Sequence, residues 1–325
     1  MEYTRLGTSG LKVSRIAMGT MGYGDGSREK WALDYDGATP FFRQALDLGI
    51  TFWDTANIYS FGGSEKIVGR AIKELTRRDD IVLATKVHQH MHDGPGGSGL
   101  SRKAIMEQVD ASLTRLGTDY IDLYQIHRYD AETPVEETME ALHDVVKAGK
   151  ARYLGASSMF AWQFAKMQHV AEASGFTKFV SMQNQYSPIM REEEQEMFPL
   201  LADQGVGSLP WSPLAGGLVA RPWGVNNTDR AKTSTDVDFN GNPLWLDTDQ
   251  DIVDAIQKIA GDRGISMAQV ALAWVLKNPD VDAPIVGATR EHHLAAAAAT
   301  LEVVLTDDEV SAIEKPYARR NPTWF

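Results

Sequence analysis

The sequence predicts a (β/α)8 barrel of the TIM type. Three observations carry that expectation: eight short β-type runs between residues 15 and 289, helical periodicity in most of the segments that separate them, and capping residues at the ends of those segments. Repeated strand–helix alternation calls for parallel strands with helical crossovers. An open doubly wound sheet is the competing arrangement, and eight repeats favour closure. The 325 residues read as one domain spanning 1–325.

The elements follow in order. The opening "YTRLGTSGLKVSR" places a Gly-containing turn between two short runs, which reads as an N-terminal β-hairpin capping the barrel bottom. The strand candidates are "RIAMGT" (15–20), "ITFWDT" (50–55), "IVLATKV" (81–87) and "IDLYQIH" (121–127), followed by "ARYLGASS" (151–158), "FVSMQNQY" (179–186), "GVGSLPWS" (205–212) and "APIVGAT" (283–289). Helical periodicity marks 38–49, 63–75, 101–117, 133–150, 160–175, 191–205 and 249–264. Ser101 and Thr133 stand at N-cap positions with Pro134 in a first turn, and Gly49, Gly117, Gly149, Gly175 and Gly205 follow helical patterns as C-caps. Residues 217–245, after the seventh strand, show no period and read as a long functional or flexible loop. The alanine-rich "HLAAAAATL" reads as an ordinary helix.

Composition narrows the function. Hydrophobic residues make up 43% of the chain, enough for a large core. A net charge of -12 argues against nucleic acid and anionic membranes as partners, while local arginines can still hold a small anion. With no cysteine, disulfides, thiolate metal sites, iron–sulfur clusters and a cysteine nucleophile are excluded. The start lacks the apolar core of a signal peptide, and no run of about 18 apolar residues occurs, so a cytoplasmic protein is expected.

In such a barrel, chemistry gathers at the carboxyl ends of the strands. Those ends carry Asp54, Lys86 and His127 on the second, third and fourth strands, then Ser157 and Ser158, Gln183 and Asn184, Trp211 and Ser212, with Tyr59 on the loop after Asp54. Singly, Asp54 reads equally well as an N-cap, Lys86 as a solvated strand end and His127 as a loop residue. Their convergence on one mouth favours a site. An ammonium beside a phenol favours the phenolate and lowers the tyrosine pKa from its reference of about 10. Asp54 would hold Lys86 charged, and His127 would hydrogen-bond the reacting oxygen. The set makes a general acid aimed at a carbonyl oxygen. Nothing in it donates a hydride, so a bound cofactor must.

"DTANIY", Lys86 and the "QIH" ending at His127 resemble the Asp/Tyr/Lys/His tetrad of the aldo-keto reductase superfamily. "GASS" (155–158), "SMQNQY" (181–186) and "WSPLAGGL" (211–218) extend the likeness, which runs in order from "RLGTSGLKVSRIAMGT" to "IVGATREHHL". "EETMEALHDVVKAGKARYLGASS" and "WSPLAGGLVARPWG" look most like bacterial reductases of the branch related to potassium-channel β-subunits. The resemblance implies reversible NADPH-dependent reduction of an aldehyde or ketone, a small-molecule carbonyl substrate, with NADH as a possible substitute. Tyr59 is the implied proton donor, Asp54 and Lys86 tune it, and His127 orients the substrate. By the same resemblance, Thr20, Met21 and Asp54 lie near the nicotinamide ribose; Ser157, Ser158 and Gln183 hold the carboxamide; and Trp211 stacks on the ring. Ser212, Pro213, Leu214, Gly216 and Gly217 run along the pyrophosphate, and Arg230 clamps the phosphates. Gly287, Thr289, Arg290 and His293 take the adenosine 2′-phosphate, where an arginine favours NADP. Ala296 and Ala297 replace the family's usual Glu-Asn pair, which weakens the expected adenine grip and NADP preference.

Tyr23, Tyr129, Phe160 and Trp223 are candidates for the substrate pocket, with the tail "NPTWF" folding over the mouth. Three other signals compete. "GPGGSG" (94–99) fits a dinucleotide turn by count but does not follow its strand directly, so it reads as a loop. "HQHMH" (88–92) would place three histidines on one strand face, the start of a metal-dependent hydrolase site; later strand ends offer no further histidine, so a polar rim with no metal is expected. "REEEQE" (191–196) reads as a solvated helix face. The non-catalytic alternative is a redox-sensing subunit that binds NADPH and a partner protein.

Overall fold

The computed structural model describes residues 1–26, 31–225 and 244–322. Strands β1 (Tyr3–Arg5) and β2 (Lys12–Ser14) form the antiparallel hairpin. The parallel strands are β3 (Ala17–Gly19), β4 (Phe52–Asp54), β5 (Val82–Val87), β6 (Ile121–Ile126), β7 (Ala151–Ser157), β8 (Phe179–Gln183), β9 (Gly207–Ser208) and β10 (Ile285–Gly287). Their order is β10-β3-β4-β5-β6-β7-β8-β9. The ring closes where Asp282 N donates to Ser208 O at 3.0 Å and Ile285 N to Pro210 O at 2.8 Å. Between the strands run α1 (Tyr35–Asp47), α2 (Gly63–Leu75), α3 (Arg102–Leu116), α4 (Val135–Lys147), α5 (Ala161–Ser174) and α6 (Met197–Gln204). Then follow α7 (Asp249–Arg263), α8 (Met267–Lys277), α9 (His292–Ala299) and α10 (Asp307–Glu314).

Side-chain alternation divides this structure into two cores. Ala17, Phe52, Ala84, Leu123, Leu209, Ala283 and Ile285 point into the barrel, where Leu6 and Val13 of the hairpin plug its lower end. A larger cluster fills the space between sheet and helices. The same period of two carries Asp54, Lys86 and Gln125 inward, one step above Phe52, Ala84 and Leu123. The apolar plug thus fixes which residues the mouth receives.

The helix ends follow local chemistry. Asp34 caps α1, accepting from Gly37 N at 2.9 Å, so that helix starts earlier than its periodicity indicates. Ser101 caps α3 as expected, and Gly117, Gly175 and Gly205 close their helices with φ of 64°, 69° and 65°. Thr133 does not cap α4: Pro134 takes the N-cap position, and the Thr133 hydroxyl donates to Asp130 Oδ2 at 2.7 Å.

The run expected as a helix over 191–205 is broken. A 3₁₀ turn at Glu192–Glu194 precedes α6, which begins at Met197. Pro199 explains the break, because its ring would clash with the carbonyl of Gln195 if the helix continued back through it. The acids there are not a solvated face either. Glu192 Oε1 accepts from the Tyr317 hydroxyl at 2.7 Å and from Arg320 N at 2.9 Å, which ties down the C-terminal segment. Burial, and then the charge of Glu192, push the Glu193 carboxyl from the usual 4.5 to about 8. A carboxyl raised in the folded state adds stability at low pH that is lost as pH climbs through about 8. Glu193→Gln is therefore expected to be more stable than the parent at pH 9, by roughly 1–3 kcal/mol, with the gap closing at pH 5. Urea unfolding at both pH values checks this; an equal difference at each would show that the carboxyl does not titrate.

No helix among the described residues is long and apolar enough to cross a membrane.

Candidate active site

Asp54 ends β4, and Lys86 stands on β5 next to it, both pointing into the barrel. Lys86 Nζ lies 2.5 Å from Asp54 Oδ2, 2.8 Å from Thr55 O and 3.4 Å from the Tyr59 hydroxyl. All three ammonium protons thus have acceptors. Burial alone would push the ammonium down, but Asp54, followed by Tyr59, outweighs it and holds Lys86 above the usual lysine range. The other Asp54 oxygen accepts from Gln125 Nε2 at 3.1 Å and Gln183 Nε2 at 2.9 Å, so the carboxylate is fixed on both sides. Lys86 has no exposed surface and Asp54 is 2% exposed.

Tyr59 opens a tight 3₁₀ turn, Tyr59–Gly62. Ser60, Phe61 and Gly62 have φ of 49°, 48° and 86°, three left-handed residues in succession. Such a turn stores roughly 1–2 kcal/mol at each non-glycine residue. Packing holds it in place: Ser60 is buried, and a Cβ at Gly24 would lie 1.9 Å from its hydroxyl. The phenol is thereby brought back over Lys86, whose Nζ is 4.9 Å from the ring centroid. His127, one residue past β6, meets the Tyr59 ring edge-on with centroids 5.9 Å apart. Asp54, Lys86 and His127 are buried, whereas Tyr59 is partly exposed at the mouth. A phenol so placed can pass its proton to an oxygen arriving from solvent, and the ammonium can stabilise the anion left behind.

The sequence profile of the aldo/keto reductase family matches residues 15–318. The chain belongs to this family. It is 45% identical to versiconal hemiacetal acetate reductase of Aspergillus parasiticus, over 98% of this chain and 97% of that one. An aldo-keto reductase of Fusarium vanettenii is 43% identical over 98% and 92% of the two chains. A protein of Schizosaccharomyces pombe that carries an aryl-alcohol dehydrogenase name is 40% identical over 97% and 95%. These relatives are fungal, so the expected placement with bacterial reductases is not borne out.

Aldo-keto reductases generally use nicotinamide cofactors. Thr20 is buried and donates to Asp54 O at 2.9 Å, while Met21 beside it is 37% exposed. Ser157 donates to Gln183 O at 2.8 Å, and Ser158 accepts from Trp211 Nε1 at 2.8 Å. Ser212, Ala215, Gly216 and Gly217 have φ of 51°, 48°, 65° and 95°, and Pro213 and Leu214 lie between the first two. Two N–H groups of this segment turn back on it, Ala215 N donating to Ser212 O at 2.8 Å and Gly217 N to Leu214 O at 2.7 Å. A Cβ at Gly216 or Gly287 would meet nothing within 4 Å, so both glycines border open space. Thr289 N donates to His293 Nδ1 at 3.3 Å, and Arg290 is exposed beside them. Burial, then His292 and Arg290, push the His293 ring down to about 4. Ala297 is buried in α9 and serves packing. Arg230 lies outside the described residues, as do the last three of the tail "NPTWF".

Of the pocket candidates, Tyr129 is partly buried and faces Trp162 with centroids 6.2 Å apart, Phe160 is 44% exposed, and Trp223 packs on the core with partial exposure. Tyr23 is a correction. It has no exposed surface, its ring packs against Phe41 and Phe42, and its hydroxyl donates to Ala288 O at 3.0 Å, so it is a core residue. "GPGGSG" stays in the loop between β5 and α3. At His88, φ of 143° ends the strand alternation, so the three histidines share no strand face; among the described residues no group of three or more ligand-type side chains could hold a metal.

Two residues of the mouth were not singled out from sequence. Gln125 braces Asp54, and its position two before His127, on the same strand face, was the available signal. Arg128 lies beyond the end of β6, where that alternation no longer applies.

Proposed function

We propose that this aldo-keto reductase reduces aromatic aldehydes or ketones to alcohols, with NADPH as hydride source, and that it also runs the reverse oxidation. The observation that carries the reading is the buried Lys86–Asp54 pair set 3.4 Å beneath the Tyr59 hydroxyl. The carbonyl oxygen would accept hydrogen bonds from Tyr59 and His127. NADPH, when bound, supplies the hydride to the carbonyl carbon. As the C=O bond opens, Tyr59 gives its proton to the oxygen, and Lys86 holds the resulting phenolate until solvent returns a proton. Thr20, Met21, Ser157, Ser158, Gln183 and Trp211 would hold the nicotinamide end. Ser212 to Gly217 would hold the pyrophosphate, and Gly287, Thr289, Arg290 and His293 the 2′-phosphate.

Two things support an aromatic substrate. Phe61 in the turn that Tyr59 opens, Phe160 at the N-cap of α5 and Trp162 in its first turn are 53%, 44% and 59% exposed, and such flat rings can stack on an aromatic substrate. One relative carries an aryl-alcohol dehydrogenase name.

The test is NADPH oxidation across benzaldehydes, aliphatic aldehydes, sugars and quinones, repeated with NADH. Benzaldehydes are expected to turn over fastest; no turnover of any carbonyl would end the proposal. Arg290→Ala is expected to raise the KM for NADPH about tenfold or more and leave that for NADH nearly unchanged, because only NADPH offers the extra phosphate. Equal changes for both cofactors would remove Arg290 from the 2′-phosphate site.

A further inference from the structure

Arg128 directly follows His127 on the loop leaving β6. Its guanidinium is positioned from two sides. Nη1 donates to the His127 carbonyl oxygen at 2.6 Å, and Cζ lies 5.9 Å from the centroid of the Trp211 ring. Trp211 is in turn fixed by its bond to Ser158, and the His127 ring abuts Tyr59. A cation is thus set among the groups that frame the mouth. The field of Lys86 at the phenol is partly offset by Asp54, to which it is bonded, so a second cation has an effect to add there.

We propose that Arg128 is a positioning residue of the reaction centre, whose fixed charge stabilises the negative charge that builds on the carbonyl oxygen and passes to Tyr59. Burial pushes the guanidinium down to about 10, and Tyr59 acts in the opposite sense, so the group stays charged at neutral pH. An arginine suits this role because its planar charge can lie against an indole while still donating to a carbonyl. The bond to the His127 carbonyl also ties the cation to the residue next to the reacting oxygen. Loss of Arg128 should therefore act on the chemical step.

The inference rests on the reading of Tyr59 as proton donor to an aryl carbonyl. Its test is single-turnover reduction of para-substituted benzaldehydes at saturating NADPH by the parent, Arg128→Met and Arg128→Lys. Arg128→Met is expected to slow the chemical step about 10- to 100-fold, less than the loss of a donor bonded directly to an oxyanion. It should also steepen the dependence of rate on electron withdrawal by the para substituent, because the substrate must then carry more of the charge itself. Arg128→Lys should return the slope to that of the parent and recover part of the rate. NADPH affinity, read by fluorescence, is expected to stay within about twofold, which also reports that the variants fold. A structural role would lower all the rates in parallel. An unchanged slope in Arg128→Met therefore overturns the inference. If the parent itself reduces no benzaldehyde, the function proposed above falls first and takes this inference with it.

Discussion

Tyr59→Phe is expected to abolish carbonyl reduction, lowering the single-turnover rate by at least about 10³-fold, while NADPH binds within about twofold of the parent affinity. The substitution removes one oxygen and little else. The ring keeps its edge contact with His127 and its place above Lys86. Lys86 loses its longest hydrogen bond, at 3.4 Å, and keeps those to Asp54 at 2.5 Å and Thr55 O at 2.8 Å. Stability should therefore change by less than about 1 kcal/mol. Melting, cofactor fluorescence and single-turnover reduction of benzaldehyde separate these effects. A rate near that of the parent would mean that another group delivers the proton, and the reading of the site would have to be abandoned.

The tetrad was legible in the sequence because barrel topology converts order along the chain into position around a ring. Asp54, Lys86 and His127 occupy equivalent strand ends, so no knowledge of distant packing is needed to bring them together. Gln125 was legible by the same logic, since a strand with an inward His127 must also turn residue 125 inward. The strands themselves are shorter than the apolar runs, as with β3 inside 15–20, because the ends of those runs serve the loops. What local reasoning missed depends on residues far away in the chain. The acids of 192–194 look solvated until Tyr317 and Arg320 arrive to cover Glu192. Tyr23 looks like a rim residue until α1 brings Phe41 and Phe42 against it. Aromatic and acidic side chains are ambiguous in this way: their type permits two environments, and only tertiary contact selects one.

Lys86→Met is expected to fail in two ways that can be pulled apart. It removes the charge that stabilises the phenolate, so turnover should drop by about 10²–10³-fold or more. It also leaves Asp54 buried beside a thioether, with Gln125 and Gln183 as its remaining side-chain donors, which should cost about 3–5 kcal/mol of stability. The second effect comes from the orphaned carboxylate and not from the lost lysine. Replacing both partners by apolar residues, Lys86→Met with Asp54→Leu, takes away the unpaired charge and should recover part of that stability, while the Gln125 and Gln183 amides and the Thr55 carbonyl, which lose these partners, hold back the rest. Activity should not return, since neither replacement can hold a proton or a phenolate. Urea midpoints of the parent, both single variants and the double variant close the cycle. A double variant no more stable than Lys86→Met would mean that the pair contributes to folding in its own right. The expected partial recovery without activity would mean that the chain carries this pair for its chemistry, at a position where an apolar pair still folds.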